Sequence, residues 1–505
     1  MKRMSTLLLL LFFLSNSYAN NIRISGVTVS GSDVSFTLSW DNSWNTMSNI
    51  DPLYPNNWDA AWIFIKYQNA IDNLWKHASV STNPSDHSVS GAGGVLQVDA
   101  VPDGMGVFVR CSSTGNGNIS DAVVTLKMGA LTGSGAFNFK VFGVEMVYVP
   151  QAPFQLGDGQ VSGVAYFTPQ DIDATKQASG IGSAALYSGS PALPATYPMG
   201  YDAFYSMKYE ITLEQWADFL NTLTYDQQAA RIRSDAAPNS PTGTFAYVNV
   251  IAGTYPTIQA IEIAVPGANN TVPAIFGCDF NSNNVFNEPG DGQNIALAGI
   301  SKQDLMAYLD WSALRPFTEL EYEKMGRGTR PRVSGELAWG TSTINFYRRQ
   351  LLSDAGLATE YLSGVTLNGR AIVTVVNANG SGPARSGVFA TASTGRQSSG
   401  ASFYGIMELT GNVYEMCVAA DASGALFTGS HGNGLLTTTG EPDVSGWPAG
   451  NIVTGFMLRG NTWGGMAVNT SVGSQTQFSQ LSYRYADPGT ARAVSYGGRG
   501  VRTAP

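Results

Sequence analysis

Residues 312–323 read Ser-Ala-Leu-Arg-Pro-Phe-Thr-Glu-Leu-Glu-Tyr-Glu, and residues 405–415 read Gly-Ile-Met-Glu-Leu-Thr-Gly-Asn-Val-Tyr-Glu. In the first stretch, Thr318-x-x-Glu321 is the start signal of a short helix after Pro316. The hydroxyl and the acid three residues later satisfy each other's free backbone N–H groups. Glu319, Glu321 and Glu323 suggest paired catalytic carboxylates. Alternate helical positions do not face one another, however, and acids in a first turn suit the helix dipole. The three therefore read as structural. In the second stretch, Gly411-Asn412-Val413-Tyr414-Glu415 is a tight turn that ends in an acid.

Working outward, the same start signal recurs. Thr212-x-x-Gln215 opens a helix with Trp216, Phe219, Leu220 and Leu223 on one stripe. Ser301-x-x-Asp304 is a weaker version, with Leu305, Tyr308, Leu309 and Ser312 on one face. Residues 20 to 142 instead alternate with period two: Val34, Phe36, Leu38 and Trp40; Ala61, Ile63, Ile65 and Tyr67; Val124, Leu126 and Met128. Gly, Ser, Asn and Asp clusters divide the runs, which predicts an antiparallel β-sandwich of the immunoglobulin-like kind. Trp58 and Trp62 read as core or rim residues of that sandwich, with a ligand platform as the rival reading. The pattern changes near residue 143.

From there to residue 502 several tags occur in a set order. They are Val144-Glu145-Met146-Val147-Tyr148-Val149-Pro150, Tyr209-Glu210-Ile211-Thr212, the 301–328 block, Glu336-Leu337-Ala338-Trp339-Gly340, Arg459-Gly460-Asn461-Thr462-Trp463 and Gly498-Arg499-Gly500-Val501-Arg502. Together, residues 143–505 resemble the formylglycine-generating enzyme (sulfatase-modifying factor) family. The resemblance implies a C-type-lectin-like α+β domain, poor in regular structure. It also implies a structural calcium held by the turn at Asn412, Val413 and Glu415, through side chains and backbone carbonyls. The rival reading of that turn puts Glu415 in a salt bridge.

The family's reaction, oxidation of a substrate cysteine, needs a C-terminal thiolate pair that binds copper, since soft thiolates select Cu(I). The cysteines here are Cys111, Cys278 and Cys417, and none follows Cys417. Of the three histidines, only His431 lies in the C-terminal region, so a histidine-ligated iron site, as used by a superfamily relative, cannot be built there. No copper or iron is expected. No disulfide pairing is fixed by sequence.

One loop stands outside these tags. Asp279, Asn281, Asn283 and Asn287 place oxygens at positions 1, 3, 5 and 9 of a calcium-type loop. Asn284 stands where an EF-hand has Gly, and Asp291 takes the place of the final acid. An Asn-rich turn is the competing reading.

Composition bounds the rest. The chain has 505 residues, net charge −9 and only 13% charged residues. No basic patch exists to displace phosphate counterions, which argues against nucleic acid and anionic membranes. Residues 1–19 read as an export signal: Lys2 and Arg3, the apolar run Leu7–Leu14, then small residues before a cleavage site. That run is shorter than the roughly 20 residues a membrane span needs. No second long apolar segment follows. The expectation is a secreted or extracytoplasmic protein, in the periplasm or at the cell surface. Its sulfatase-modifying-factor-like domain would bind a protein or glycan at the cell surface, through Trp463, Asn469, Tyr483, Arg484, Tyr485 and Arg492. Self-assembly in a surface structure is a further reading. The alternative is an oxidoreductase of the formylglycine-generating type with an altered active site.

Overall fold

The computed structural model describes residues 21–47, 55–91, 96–160, 164–246, 260–364, 366–374, 382–451, 453–464, 471–486 and 489–505. The export signal read at 1–19 and the ligand-surface residue Asn469 lie outside the described residues.

The alternating N-terminal runs form strands. Arg23–Ser30, Asp33–Asn45, Gly115–Lys127 and Ser88–Ser90 make one four-stranded sheet in that order. A second sheet has the order Val501–Thr503, Phe204–Met207, Phe137–Val149, Asp59–Asn69, Val107–Cys111, Leu96–Ala100, with Trp75–Ala78 also paired to Asp59–Asn69. The two sheets bury one apolar cluster between them. Val34, Phe36, Leu38 and Trp40 face Ala61, Ile63, Ile65 and Tyr67 across it, as period-two patterning requires.

The change of pattern near residue 143 falls inside a single strand, Phe137–Val149. Nearly all of it, Phe137 to Val147, pairs with Asp59–Asn69, so that Phe137 opposes Asn69 and Val144 opposes Trp62. Its far edge receives Phe204–Met207, with Val149 opposite Phe204. One ladder therefore joins the N-terminal strands to the C-terminal region. Side chains reinforce it. The buried Trp62 Nε1 donates to Ser312 O at 3.0 Å, Asn57 Nδ2 to Tyr404 O at 2.8 Å, and Lys66 Nζ to Gly434 O at 2.7 Å. Trp58 stacks on Tyr148 with centroids 3.9 Å apart and donates to Tyr205 Oη at 2.9 Å. Both tryptophans are interior residues, but they face the C-terminal region, in one cluster with Tyr205 and Met207, and not the core of the sandwich as expected.

Beyond that seam regular structure is sparse. Helices Leu213–Leu220, Lys302–Trp311 and Glu319–Arg327 each begin with the reciprocal cap read from sequence: Thr212 with Gln215, Ser301 with Asp304, Thr318 with Glu321. Leu213–Leu220 packs on the Ile275–Cys278 strand and on Lys302–Trp311, and Glu319–Arg327 packs on Tyr414–Val418 in a four-stranded sheet ordered Tyr485–Ala486, Phe456–Arg459, Tyr414–Val418, Tyr496–Gly497. Among the described residues no helix is long and apolar enough to cross a membrane.

Candidate functional site

The Gly411–Glu415 turn feeds the central strand of that C-terminal sheet. Gly411 has φ +91°, and a Cβ there would stand 3.0 Å from Ile372 O, so the close approach requires glycine. Asn412 is also left-handed, at φ +63°. Its side chain is fully engaged: Nδ2 donates to Glu210 Oε2 at 2.6 Å, and Oδ1 accepts from Ala384 N at 2.9 Å. Val413 N donates to Glu210 Oε1 at 3.0 Å. Glu415 is buried, and its Oε1 accepts from Arg499 Nε at 2.6 Å. The Arg499 guanidinium also donates to the carbonyls of Met207, Lys208 and Met407.

Arg499 therefore supplies at Glu415 the positive charge that the resemblance assigns to calcium. The salt-bridge reading of this turn describes its geometry, and the residues Asn412, Val413 and Glu415 do not fit a cation site as they stand. Charge around the arginine is unbalanced. Burial, then the Glu415 carboxylate, pushes Glu210 well above the usual carboxylate range. Burial raises Glu408 to about 7 despite Arg499. Among the described residues Glu408 Oε2 and Glu415 Oε2 are buried without a hydrogen-bond partner.

The Asp279–Asp291 loop is held by its own polar groups. Asp279 accepts from the backbone N–H of Asn283 (3.1 Å) and Asn284 (2.8 Å). Asp291 accepts from Asn281 Nδ2 at 2.9 Å and Glu288 N at 2.7 Å. Asn287 Oδ1 accepts from Cys278 N at 2.9 Å. These are the turn bonds of the competing reading. Glu262, absent from the sequence-based set, joins them from the neighbouring hairpin. It is buried, its Oε1 has no hydrogen-bond partner among the described residues, and burial followed by the Asp279 carboxylate raises its pKa to about 7. Among the described residues no group of three or more His, Cys, Asp or Glu side chains is arranged to hold a metal ion.

The residues expected on a ligand surface separate into two kinds. Arg484 is interior: its Nε and Nη2 grip Glu319 at 2.8 and 2.7 Å, and Nη1 donates to Val164 O at 2.8 Å. Arg492 chelates Asp304 at 2.7 and 2.9 Å and caps the carbonyls of Ile232 and Ala230. Trp463 is buried, with Nε1 donating to Val494 O at 3.3 Å. For these three a free contact surface is corrected to a structural role, because each polar group is committed inside the fold. Tyr483 and Tyr485 remain half-buried. Tyr485 stacks on Tyr414 at 6.1 Å, and Tyr496 meets Tyr414 edge-on at 6.3 Å.

Glu319, Glu321 and Glu323, read as structural, anchor an ion-pair chain. Arg484 pairs with Glu319, which pairs with Arg459 at 2.9 Å; Arg459 reaches Glu323 at 3.1 Å; Glu323 meets Arg327 at 2.9 Å; Arg327 meets Glu336. Burial alone would raise Glu319, but Arg484 and then Arg459 hold it below its ordinary value. Glu321 is clamped by Arg315 at 2.9 and 2.7 Å. The Glu323–Arg327 pair is a local contact one helical turn long, but nothing in the local pattern says that Arg459 and Arg484 meet Glu319 and Glu323 across more than a hundred residues.

The three cysteines are unpaired and separate. Cys278 is packed in the largest apolar cluster, Cys417 in another, and Cys111 lies half-buried on an N-terminal strand. Cys417 Sγ donates to Met457 O at 3.4 Å, and burial, then the Glu319 carboxylate, pushes its thiol well above the ordinary range. A nucleophilic or metal-binding thiol needs the opposite environment. His431 is half-buried; its Nε2 accepts from Thr503 N at 3.0 Å and pins the last strand, as the loop-bonding reading expects.

Comparison with known proteins follows the same division of the chain. Residues 143–504 match the family described as sulfatase-modifying factor enzyme 1-like domain. No curated protein matches the chain. Among solved structures, Treponema denticola variable protein 1 aligns over 72% of this chain and 96% of its own, at 12% identity and a TM-score of 0.31, a likeness too slight to carry argument. By the match over most of its length, this chain belongs to the sulfatase-modifying factor enzyme 1-like domain family.

Proposed function

We propose that this is a non-catalytic family member, exported and used for binding a protein or glycan at the cell surface. The observation that supports it most is the state of sulfur: no cysteine follows Cys417, and Cys417 itself is buried, protonated and hydrogen-bonded to a backbone carbonyl. Thr462, inside the 459–502 stretch where the resemblance places the family's thiols, donates to the carbonyls of Asn412 and Ser495. A hydroxyl tied to backbone cannot hold Cu(I), which selects soft ligands. In this reading residues 20–142 are an immunoglobulin-like sandwich that carries the 143–505 domain. The half-buried Tyr483 and Tyr485, not the locked arginines, are its contact candidates; tyrosine is a frequent contact anchor.

The test is incubation of purified protein with copper, oxygen and a cysteine-containing sulfatase-type peptide. The reading expects no aldehyde product; formation of formylglycine with multiple turnovers would establish the oxidoreductase alternative.

We also propose that calcium, the cofactor expected from sequence, is taken by the Asp279–Asp291 loop together with Glu262, and that Arg499 serves the Gly411–Glu415 turn instead. The three acids are not gathered into a metal cage as they stand, and the support is charge: Glu262, Asp279 and Asp291 are buried acids for which no ion pair with Lys or Arg is found among the described residues. Carboxylate and amide oxygens suit a hard cation.

A further inference from the structure

A groove of about 920 Å³ lies between the N-terminal strands and helix Leu213–Leu220. That volume is within the roughly 300–1,000 Å³ typical of small-ligand sites. One wall is aromatic. Phe64 and Phe142 lie 5.3 Å apart, and the Trp311 ring meets them edge-on at 5.1 and 5.0 Å. Trp311 is buried, yet its Nε1 has no acceptor among the described residues.

The helix side of the groove is acidic. Glu214 and Asp218 sit one turn apart on the helix, a like-charge spacing that costs stability. Neither carboxylate makes a hydrogen bond or ion pair among the described residues. This contrasts with Glu319, Glu321 and Glu323, which are all clamped by arginine. The groups that face Asp218 are Glu214, the Lys140 ammonium, the Tyr308 phenol and the Cys278 thiol. Lys140 makes no ion pair with it within 4 Å; its Nζ stands over the Trp75 ring at 5.2 Å. Arg23 lines the groove but aligns with Asp41 at 4.0 Å.

We propose that this groove binds an organic cation, an ammonium or guanidinium on an aliphatic stem. Its head would sit at Glu214 and Asp218 and its stem on the Phe64, Phe142 and Trp311 wall. Carboxylates satisfy the charge, aromatic faces and edges the stem and the cation. The free Trp311 N–H suits a carbonyl next to the stem. A free polyamine and a lysyl or arginyl side chain of a peptide share this chemistry. The inference is independent of the proposed function, since it uses neither the C-terminal surface nor the missing thiols.

The test is calorimetric titration of the full chain with spermidine, with the peptide acetyl-Gly-Lys-Gly-amide, and with the same peptide acetylated on its lysine. Binding of one or both cations, but not of the acetylated peptide, is the expected result; which cation binds identifies the source. Asp218→Asn and Glu214→Gln should each weaken binding by about tenfold or more, as for the loss of one charged contact. The melting temperature should not fall. Glu214 is exposed, so its variant remains informative if Asp218→Asn is unstable. Burial, then Glu214, raises Asp218 to about 7, so affinity should fall as pH drops below about 7. Absence of heat from both cations at about 10 mM, equal binding of the acetylated peptide, or wild-type affinity in both variants would overturn the proposal.

Discussion

At the scale of single residues, the C-terminal region is organised by buried arginines. Arg459, Arg484 and Arg499 are almost wholly enclosed and each meets a glutamate. Removing one partner from such a pair leaves a buried charge and costs roughly 3–5 kcal/mol. Around Arg499 acids are in excess, and that excess sets a pH dependence. Glu408 titrates at about 7 in the folded chain against an ordinary 4.5. The folded state then holds a proton that the unfolded chain has lost. Stability from this group is full below about 4.5, falls as pH rises through about 7, and stays lost above. Glu408→Gln keeps an oxygen for the Gly387 N–H that Glu408 Oε1 now accepts at 2.9 Å and removes the charge. It should stabilise the protein by about 1–3 kcal/mol at about pH 8 and have little effect near pH 5. Denaturant melts of both proteins at the two pH values check this; a variant less stable than wild type at pH 8 would show that the Glu408 charge is needed.

At the scale of elements, legibility follows locality. The three caps at Thr212, Ser301 and Thr318 were readable because both partners lie within one turn, and all three form. The alternation of Val34 to Trp40 was readable for the same reason. The ion-pair chain through Glu319 and Glu323 was not, beyond the one-turn Glu323–Arg327 pair, because Arg459 and Arg484 arrive from distant segments. Arg484 and Arg492 were misplaced on a surface because charge alone does not reveal an interior partner. Glu262 was invisible beside the Asp279 loop, since it lies on another strand. The calcium proposal is tested at this level. Chelation should lower the melting temperature by several degrees, since a bound ion stabilises by mass action. Asp279→Asn or Glu262→Gln should abolish the difference, and Glu415→Gln should not. Because Glu262 must lose its proton first, the calcium effect should grow as pH rises through about 7. An unchanged melt on chelation would remove calcium from the account.

At the scale of the whole molecule, the seam matters most. A boundary at residue 143 was read from a change in pattern, but the Phe137–Val149 strand passes through it and is flanked on both sides. Cutting the chain there would strip the ladder to Asp59–Asn69 and expose the Val144 to Val149 edge, a template for aggregation. A 143–505 fragment should therefore be less soluble than the full chain and melt well below it. A fragment that is monomeric and equally stable would show two independent units.

The proposed function rests on a family framework that lacks a copper-binding thiol. Titration of Cu(I) against a competing chelator, on the native chain and on Cys417→Ser, tests it most directly. Neither protein should hold copper above the competitor, because Cys417 is enclosed and its thiol is pushed well above the ordinary range. One equivalent of Cu(I) retained by the native chain and lost in Cys417→Ser would contradict it.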